Sequence, residues 1–537
     1  MRESLLLILI LLFIPFSSSE VLKEKRKILV ISVNIAKSQT VYNARISTLL
    51  AKAGHDVTLL AINPFEEEDT TVKVDPIVKV KKMEARSGYT QASLNERQSE
   101  FIYKDMSIFN VQAVRHSMTL FSGFLQKICE ALVQNKEVLD WLKAEKYDLA
   151  FVYMYHPCPI GIVHYAEIPT WIWLNSGMLM DQIAHIVGVP TVPSYVPTMI
   201  MEAQDKMNFF ERTKSFMGHT LVNLLFDRMM TNPETEFWRK HVDPNFPHIA
   251  DLSKECPLVM VNSNDLYQLP RPTLAKVINI GGIGMQIKDG KPLPKDMDEL
   301  FQKAKGVIYF SFGSVAPAHL MPESWKISIL QVVSRLPNYQ FIMRYEKDDL
   351  NDRLPQNLKL FKWVPQTDIL QHPKTKAFIT HGGYNSLQET IAAGKPMLAV
   401  PLFGDQPKNA MIAKKHGIAV VISKSQIDNP DVLERGLLEI INSPSYAEKA
   451  LRLREMVRHQ PISPEELLIR WTEFTAEFKT LENLVPAGLE LNFFQYYSLD
   501  SIAFLLSILL VSLYISYKIF RFILSFCFSK PSKYKKE

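Results

Sequence analysis

A chain of 537 residues is too long for one ordinary hydrophobic core, and 47% hydrophobic against 22% charged residues describes a globular rather than a disordered protein. The formal charge of +5 sits in the tail, where Lys518, Arg521, Lys530, Lys533, Lys535 and Lys536 face only Glu537 after Tyr517. The body is therefore balanced, which excludes the basic footprint of a nucleic-acid-binding protein.

Met1-Arg2 and the apolar run Leu5 to Phe16, followed by Ser17-Ser18-Ser19, have the form of a signal peptide over residues 1–19. An N-terminal anchor is the other reading of that run. Lys27 to Val33 reads as a strand, Thr40 to Ala53 as a helix, and Gly54-His55-Asp56 as the turn into a strand at Val57 to Ile62. That is the opening of a βαβ unit and of a doubly wound domain. His55 belongs to turn chemistry rather than catalysis. A helix-rich stretch follows from about Ser93 to Glu145, then strands at Asp148 to Tyr155 and Thr170 to Leu174. Gly188 to Pro197 is loop, because Pro190, Pro193 and Pro197 exclude regular pairing.

Pro270-Arg271-Pro272 and Ile280-Gly281-Gly282-Ile283-Gly284 change the rhythm of the chain and place a boundary between domains 20–275 and 285–480. Gly306 to Phe312 is a strand running into the turn Gly313-Ser314. Ala377 to Thr380 is another, followed by His381-Gly382-Gly383 and a helix for which Ser386 is the expected N-cap, with Glu389 three residues on. Gly394 closes that helix. After the apolar run Met397 to Phe403 come Asp405-Gln406, with Pro407 suited to the first turn of the next helix. In open parallel sheets ligands bind at the carboxyl ends of strands, where glycines admit the backbone and helix N-termini favour anions. His381, Gly382 and Gly383 fit a phosphate, and Asp405 with Gln406 can bond hydroxyls in two directions. Phosphate and polyol together indicate a sugar nucleotide.

Ser501 to Tyr517 is uncharged and apolar and continues past Lys518 and Arg521, so residues 501–524 read as a transmembrane helix and 525–537 as a cytosolic basic tail. The positive-inside rule then puts the body in the lumen. Lys533-Tyr534-Lys535-Lys536-Glu537 is similar to a dilysine retrieval signal of the endoplasmic reticulum. The four cysteines, Cys129, Cys158, Cys256 and Cys527, have no metal-site spacing. Ordinary buried thiols, not a disulfide framework, are expected of them.

The stretch Trp363 to Ala410, WVPQTDILQHPKTKAFITHGGYNSLQETIAAGKPMLAVPLFGDQPKNA, resembles the signature of the UDP-glycosyltransferases, the family that includes the UDP-glucuronosyltransferases. The resemblance implies the GT-B arrangement, in which two Rossmann-like doubly wound domains face a cleft with the acceptor in the first and the donor in the second. It implies that Trp363 stacks on uracil, that Gln366 bonds the nucleoside, and that His381 with Gly383, Asn385 and Ser386 holds the diphosphate. Glu389 would take the ribose hydroxyls, Asp405 and Gln406 the transferred sugar, and the Gly313-Ser314 turn would lie near the donor phosphates. The implied reaction is inverting transfer of glucuronate or glucose from a UDP-sugar to a small lipophilic acceptor. No metal or other cofactor is expected. A single-pass type I membrane protein of the endoplasmic reticulum is expected, with homo- or hetero-oligomers left open.

One feature departs from the family. Its general base is a histidine after the first strand, oriented by a carboxylate after a later strand, and these positions fall on Gln39 and Tyr153. A neutral amide takes no proton near pH 7, and a phenol with an ordinary pKa of about 10 is neutral there. Three readings follow: acceptors needing little deprotonation, such as amines, carboxylates or acidic phenols; a substitute base at Lys37 or His156; or a non-catalytic UDP-sugar-binding homologue.

Overall fold

The computed structural model describes residues 24–67, 73–103, 111–284 and 290–528, so the signal segment 1–19 and the end of the basic tail lie outside the described residues. β1 (Lys27–Val33) reads KILVISV and buries every side chain after the first. A strand so apolar on both faces belongs inside a parallel sheet covered by helices on each side. It pairs in parallel with β2 (Asp56–Phe65) and β4 (Leu149–Tyr153), and β3 (Lys79–Tyr89), β5 (Trp171–Asn175), β6 (Leu258–Val261) and β7 (Val277–Asn279) complete the order β3-β2-β1-β4-β5-β6-β7.

A second parallel sheet has the order β10-β9-β8-β11-β12-β13, from β8 (Gly306–Ser311), β9 (Tyr339–Arg344), β10 (Leu358–Phe361), β11 (Thr375–Thr380), β12 (Met397–Ala399) and β13 (Ala419–Val421). Both sheets reverse strand order beside their first strand, at β1/β4 and at β8/β11. Those switch points are where doubly wound folds place ligands. The helices that position the site and its supports are α1 (Lys37–Lys52), α2 (Gln91–Tyr103), α3 (Val111–Gln134), α4 (Phe209–Phe226), α5 (Tyr384–Ala393), α6 (Gln406–Lys415), α7 (Pro464–Phe478) and α8 (Leu499–Phe528).

Four apolar clusters cover the faces of the two sheets, and the chain exchanges segments between them. Ile102 and Tyr103, at the end of α2, pack into the core of the second sheet, where the Tyr103 hydroxyl donates to the Pro317 carbonyl at 2.8 Å. Leu468 and Ala476 of α7 pack against Ile28, Val30 and Ile172 of the first sheet. The helix is pinned there by Thr170 Oγ1 donating to Lys479 O at 2.6 Å and by the Arg26–Glu477 ion pair. His55, in the turn before β2, lies 3.4 Å from Glu473 of the same helix, a structural post as its turn position implies.

These crossings correct the expected boundaries. β7 falls after residue 275 yet hydrogen-bonds to β6, and α7 falls before residue 480 yet completes the first core. The described residues from 24 to 484 form one compact unit. The thiol expectation is also corrected: Cys129 on α3 and Cys158 after β4 form a disulfide with Cα atoms 5.8 Å apart, while Cys256 is a buried free thiol. Cysteine spacing cannot reveal a bridge that only tertiary packing creates.

The C-terminal unit begins at Val485 and contains α8, 30 residues with a mean hydropathy of 2.1 in its most apolar window. At 1.5 Å per residue it is about 45 Å long, ample for a bilayer core of about 30 Å. It runs past the expected span of 501–524 at both ends, and within that span Lys518 and Arg521 lie over the rings of Tyr514 and Tyr517.

Candidate active site

The site is built on the loops that leave β8 and β11. Gly313, after β8, has φ +75°, and its N–H donates to Ser311 Oγ at 3.2 Å. A Cβ at Gly313 would stand 2.6 Å from His381 Cε1, and one at Gly383 would stand 2.6 Å from His381 Nε2. The imidazole is thus seated between two backbones that only glycine allows so close. Burial pushes the His381 pKa down to about 4, a bond with the Ser311 backbone opposes that shift, and nearby Arg344 adds to it. At neutral pH the ring is an uncharged hydrogen-bonding group.

α5 starts directly behind it. Gly383 is the N-cap and no side chain caps the helix, so Ser386 stands inside the first turn rather than at the cap. The expected Ser386–Glu389 capping box is therefore absent. The two glycines ahead of Tyr384 bring the chain into the helix three residues earlier than the Ser-x-x-Glu pattern implies. Gly394 closes the helix in the left-handed conformation, as expected. Asn385, half-buried, occupies the second helical position. The N-terminus of this ten-residue helix has no side-chain cap and lies beside a neutral imidazole, an arrangement that favours negative charge.

Ser386 and Glu389 instead join Gln366, at the start of a short helix after β10. Gln366 Oε1 accepts from the Tyr309 hydroxyl at 3.0 Å, and its Nε2 donates to Glu389 Oε2 and, at 3.4 Å, to Ser386 Oγ. Burial raises the Glu389 pKa, with Gln366, Arg45 and Thr367 working against it. Arg45 belongs to α1 of the first sheet, so its positive charge reaches the carboxylate from the opposite lobe. Trp363 is 68% exposed while the adjoining Val364 is buried, which leaves an indole face available for stacking.

Asp405 is the N-cap of α6, and Asn409 Nδ2 donates both to Asp405 Oδ2 at 2.9 Å and to Gly382 O at 3.0 Å. Asn409 therefore ties the loop after β12 to the loop after β11. Sequence reasoning missed it, although its position four residues after Asp405 in a helix was a usable signal. Burial raises the Asp405 pKa. Gln406 differs from expectation: its Oε1 is taken by the N–H groups of Leu402 at 2.9 Å and Phe403 at 3.2 Å. Its carbonyl shapes the loop, so the amide NH2 is the end that could donate to a ligand. Lys408 was also missed. It is buried, donates to Pro197 O at 2.8 Å in the proline-rich loop, and has its pKa pushed down to about 8 by burial, with Asp181 opposing and Arg271 adding to the shift.

The opposite wall holds the two degenerate positions. Gln39 lies in the first turn of α1, 1% exposed, with neither amide atom hydrogen-bonded. Tyr153 ends β4; its hydroxyl meets Ser176 Oγ at 2.8 Å and its ring packs edge-on against Tyr155 at 5.0 Å. Burial raises the pKa of both phenols, and the Asp405 charge raises both further, so neither is a base near neutrality. Lys37 is exposed at the start of α1. His156 faces the interior, 2.9 Å from Leu125 O and 3.4 Å from buried Glu234, and burial lowers its pKa to about 4. It cannot serve the cleft. His156 also lies with Cys129 and Cys158 in a group of metal-ligating type, but the two sulfurs are spent in the disulfide.

Two Rossmann-like lobes, with glycine-rich loops and a helix N-terminus at the switch point of the second, have the GT-B fold. Solved structures share this fold: a UDP-glucosyltransferase from Polygonum tinctorium matches with TM-score 0.57 at 15% identity over 84% of this chain and 99% of that one. The glycotransferase of kitacinnamycin matches with TM-score 0.53 at 18% identity over 86% of this chain and 99% of that one. Residues 26–534 match the family model for UDP-glucoronosyl and UDP-glucosyl transferase. The chain is 32% identical to the putative UDP-glucuronosyltransferase ugt-48 of Caenorhabditis elegans, over 89% of this chain and 91% of that protein. It is 31% identical to UDP-glucuronosyltransferase 2C1 of Oryctolagus cuniculus, over 87% and 92%. The chain belongs to the UDP-glucuronosyl and UDP-glucosyl transferase family, and it is a membrane-anchored glycosyltransferase that uses a UDP-sugar.

Proposed function

We propose that this enzyme transfers glucose or glucuronate, with inversion, from the UDP-sugar to small lipophilic acceptors that are nucleophilic without a strong base: amines, carboxylates and acidic phenols. The observation that carries the donor half is the His381 ring held between Gly313 and Gly383 at the uncapped head of α5. In this reading Trp363 stacks on the uracil, Gln366 bonds it, and Glu389 takes the ribose hydroxyls. The diphosphate lies against His381, the backbone of Gly383 and Asn385, the Ser386 hydroxyl and the Gly313-Ser314 turn. Asp405 and the amide of Gln406 hold the sugar. The α5 N-terminus and a neutral imidazole supply the donors that stabilise charge on the leaving diphosphate, so the reading needs no metal.

The acceptor half rests on the absence of a base at Gln39 and Tyr153. Loss of a general base costs ~10² to 10⁴ in rate, which acceptors of low pKa or with free lone pairs offset. Positioning by the opposed lobes supplies the rest. The Cys129–Cys158 bridge supports a lumenal body, since disulfides persist in oxidising compartments. With α8 and the basic tail it supports a type I protein of the endoplasmic reticulum.

Single-turnover transfer from radiolabelled UDP-glucose and UDP-glucuronate, with amines, phenols and carboxylic acids as acceptors, tests the reading. Product that disappears in His381→Ala supports it and names the donor. Saturable UDP-sugar binding with no product from any acceptor class refutes the acceptor half.

A further inference from the structure

Cys129, Cys158 and His156 meet in the apolar core of the first sheet, and their ligand atoms all lie within 4.8 Å of one another. Cys129 stands on α3, while His156 and Cys158 stand two residues apart in the loop after β4. Each is at most 1% exposed. His156 Nε2 lies 2.9 Å from the carbonyl of Leu125, four residues before Cys129 on the same helix. A carbonyl only accepts, so Nε2 carries the proton and Nδ1 keeps the lone pair. That Nδ1 is buried and meets no hydrogen-bond donor. Glu234, fully buried on the helix Asn232–His241, brings Oε1 to 3.4 Å from the same Nε2. A bare imidazole nitrogen beside two sulfurs, with the other ring nitrogen facing a carbonyl and a carboxyl, is the arrangement of a metal ligand and its orienting groups. The disulfide accounts for the sulfurs but gives the imidazole lone pair and the carboxyl no partner, in an interior where such groups are paired or coordinate metals.

We propose that, once the Cys129–Cys158 bridge is reduced, Cys129 Sγ, Cys158 Sγ and His156 Nδ1 hold one zinc ion, with the Leu125 carbonyl and Glu234 orienting the imidazole. A small dithiol transfers two electrons to the bridge, becomes a cyclic disulfide itself and leaves the two sulfurs as thiols. Zinc then displaces one proton from each sulfur, so that two thiolates and one neutral imidazole surround an ion that has no redox chemistry with them. The fourth tetrahedral position is left to an oxygen donor. Bridge and ion are thus alternative clasps between α3 and the loop after β4. The oxidised chain has no thiolate to offer and takes no zinc, whereas a chain not yet oxidised is fastened at the same place by the metal. The inference does not rest on which sugar or acceptor the enzyme uses.

The test uses the full-length protein in detergent micelles, with Cys256→Ser and Cys527→Ser so that only these two sulfurs remain, and cobalt(II) as the probe. After reduction with a dithiol, removed without oxygen, titration should load one cobalt per chain, with a thiolate-to-cobalt charge-transfer band and tetrahedral d–d bands that added zinc abolishes. The oxidised protein should show neither. X-ray absorption of the zinc form should find two sulfurs at about 2.3 Å and a nitrogen at about 2.0–2.1 Å. Glu234→Gln should weaken cobalt binding by about 10- to 100-fold, and His156→Gln at least as much. The wild-type chain, its exposed Cys527 alkylated before reduction, is titrated in parallel, so that a folding defect of Cys256→Ser does not decide the outcome. Absence of the charge-transfer band from both reduced proteins overturns the proposal. So does an affinity that His156→Gln leaves unchanged, since two thiols alone then hold the ion, and so does equal uptake by the oxidised protein.

Discussion

Gln388 and Asn262 exchange hydrogen bonds in both directions across the two lobes. Asn262 Nδ2 donates to Gln388 Oε1 at 3.0 Å, and Gln388 Nε2 returns bonds to Asn262 Oδ1 and O, each at 3.1 Å. Asn262 follows β6 of the first sheet and also donates to Ser176 O at 3.0 Å, while the Ser176 hydroxyl meets Tyr153. Gln388 lies on α5 between Ser386 and Glu389. The first lobe and α5 of the second are thus joined by this buried pair of amides.

Replacing Gln388 with Leu keeps the volume and removes the exchange. The Tyr267 hydroxyl, which accepts from Gln388 Nε2 at 2.7 Å, loses that partner as well. Buried polar groups left without partners cost about 1–3 kcal/mol each. Denaturant unfolding of Gln388→Leu should show a loss of about 2 kcal/mol, accompanied by weaker UDP-sugar binding. Unchanged stability would mean that water satisfies the pair and that the lobes are held elsewhere.

Gly313→Ala tests the imidazole seat. The added Cβ would lie 2.6 Å from His381 Cε1, at a residue whose φ of +75° already disfavours a side chain. The ring must move, and UDP affinity measured by calorimetry should fall by at least about tenfold, a change of 1.4 kcal/mol. Circular dichroism should stay that of the wild type. Full affinity in the variant would place the diphosphate away from His381.

Much of this architecture is legible in the sequence, and the failures have physical causes. The apolar run Lys27 to Val33 is β1 residue for residue, because a strand buried on both faces leaves an uninterrupted signature. Trp363 is 68% exposed, which the sequence alone does not distinguish from a core aromatic. The Ser386 cap failed because Ser-x-x-Glu is satisfied equally well inside a first turn, once two glycines let the helix start sooner. The reach of α7 into the first core, and of Tyr103 into the second, is invisible to any reading that assigns segments by order along the chain.

The depressed pKa of His381 gives stability a pH dependence with a definite sign. Folded, the ring binds its proton only near pH 4; unfolded, near 6.5. Between those values the unfolded chain holds more protons, so stability falls as the pH is lowered from about 6.5 towards 4. For this group alone the loss between pH 7 and pH 5 is about 2 kcal/mol. The fall in unfolding free energy over that range should be smaller by that amount in His381→Gln. Parallel curves for the two proteins would show that the ring titrates normally in the fold.

The Cys129–Cys158 bridge closes a segment with a sequence separation of 29 residues and fastens α3 to the loop after β4. Loop-closure entropy for that length gives a stabilisation of about 3–4 kcal/mol. Cys129→Ser with Cys158→Ser should lower the unfolding free energy by that order, and reductant should then have no further effect on the double variant. Unchanged stability on removing both sulfurs would show that the bridge does not form in the protein as expressed.

The last prediction concerns the missing base. Gln39 is buried in the first turn of α1 with an unpartnered amide, and Tyr153 closes β4, the neighbour of β1 at the switch point of the first sheet. A histidine at 39 and a carboxylate at 153 would supply the residue types of a base and its orienter at those two positions. The double variant Gln39→His with Tyr153→Asp should raise kcat for simple alcohols by about 10²-fold, while amine acceptors, which need no such base, change little. The pH profile for alcohols should acquire an ascending limb near the pKa of the new imidazole, and Tyr153→Asp alone should not produce it. An unchanged rate on alcohols with intact UDP-sugar binding would show that residues 39 and 153 do not flank the reacting hydroxyl.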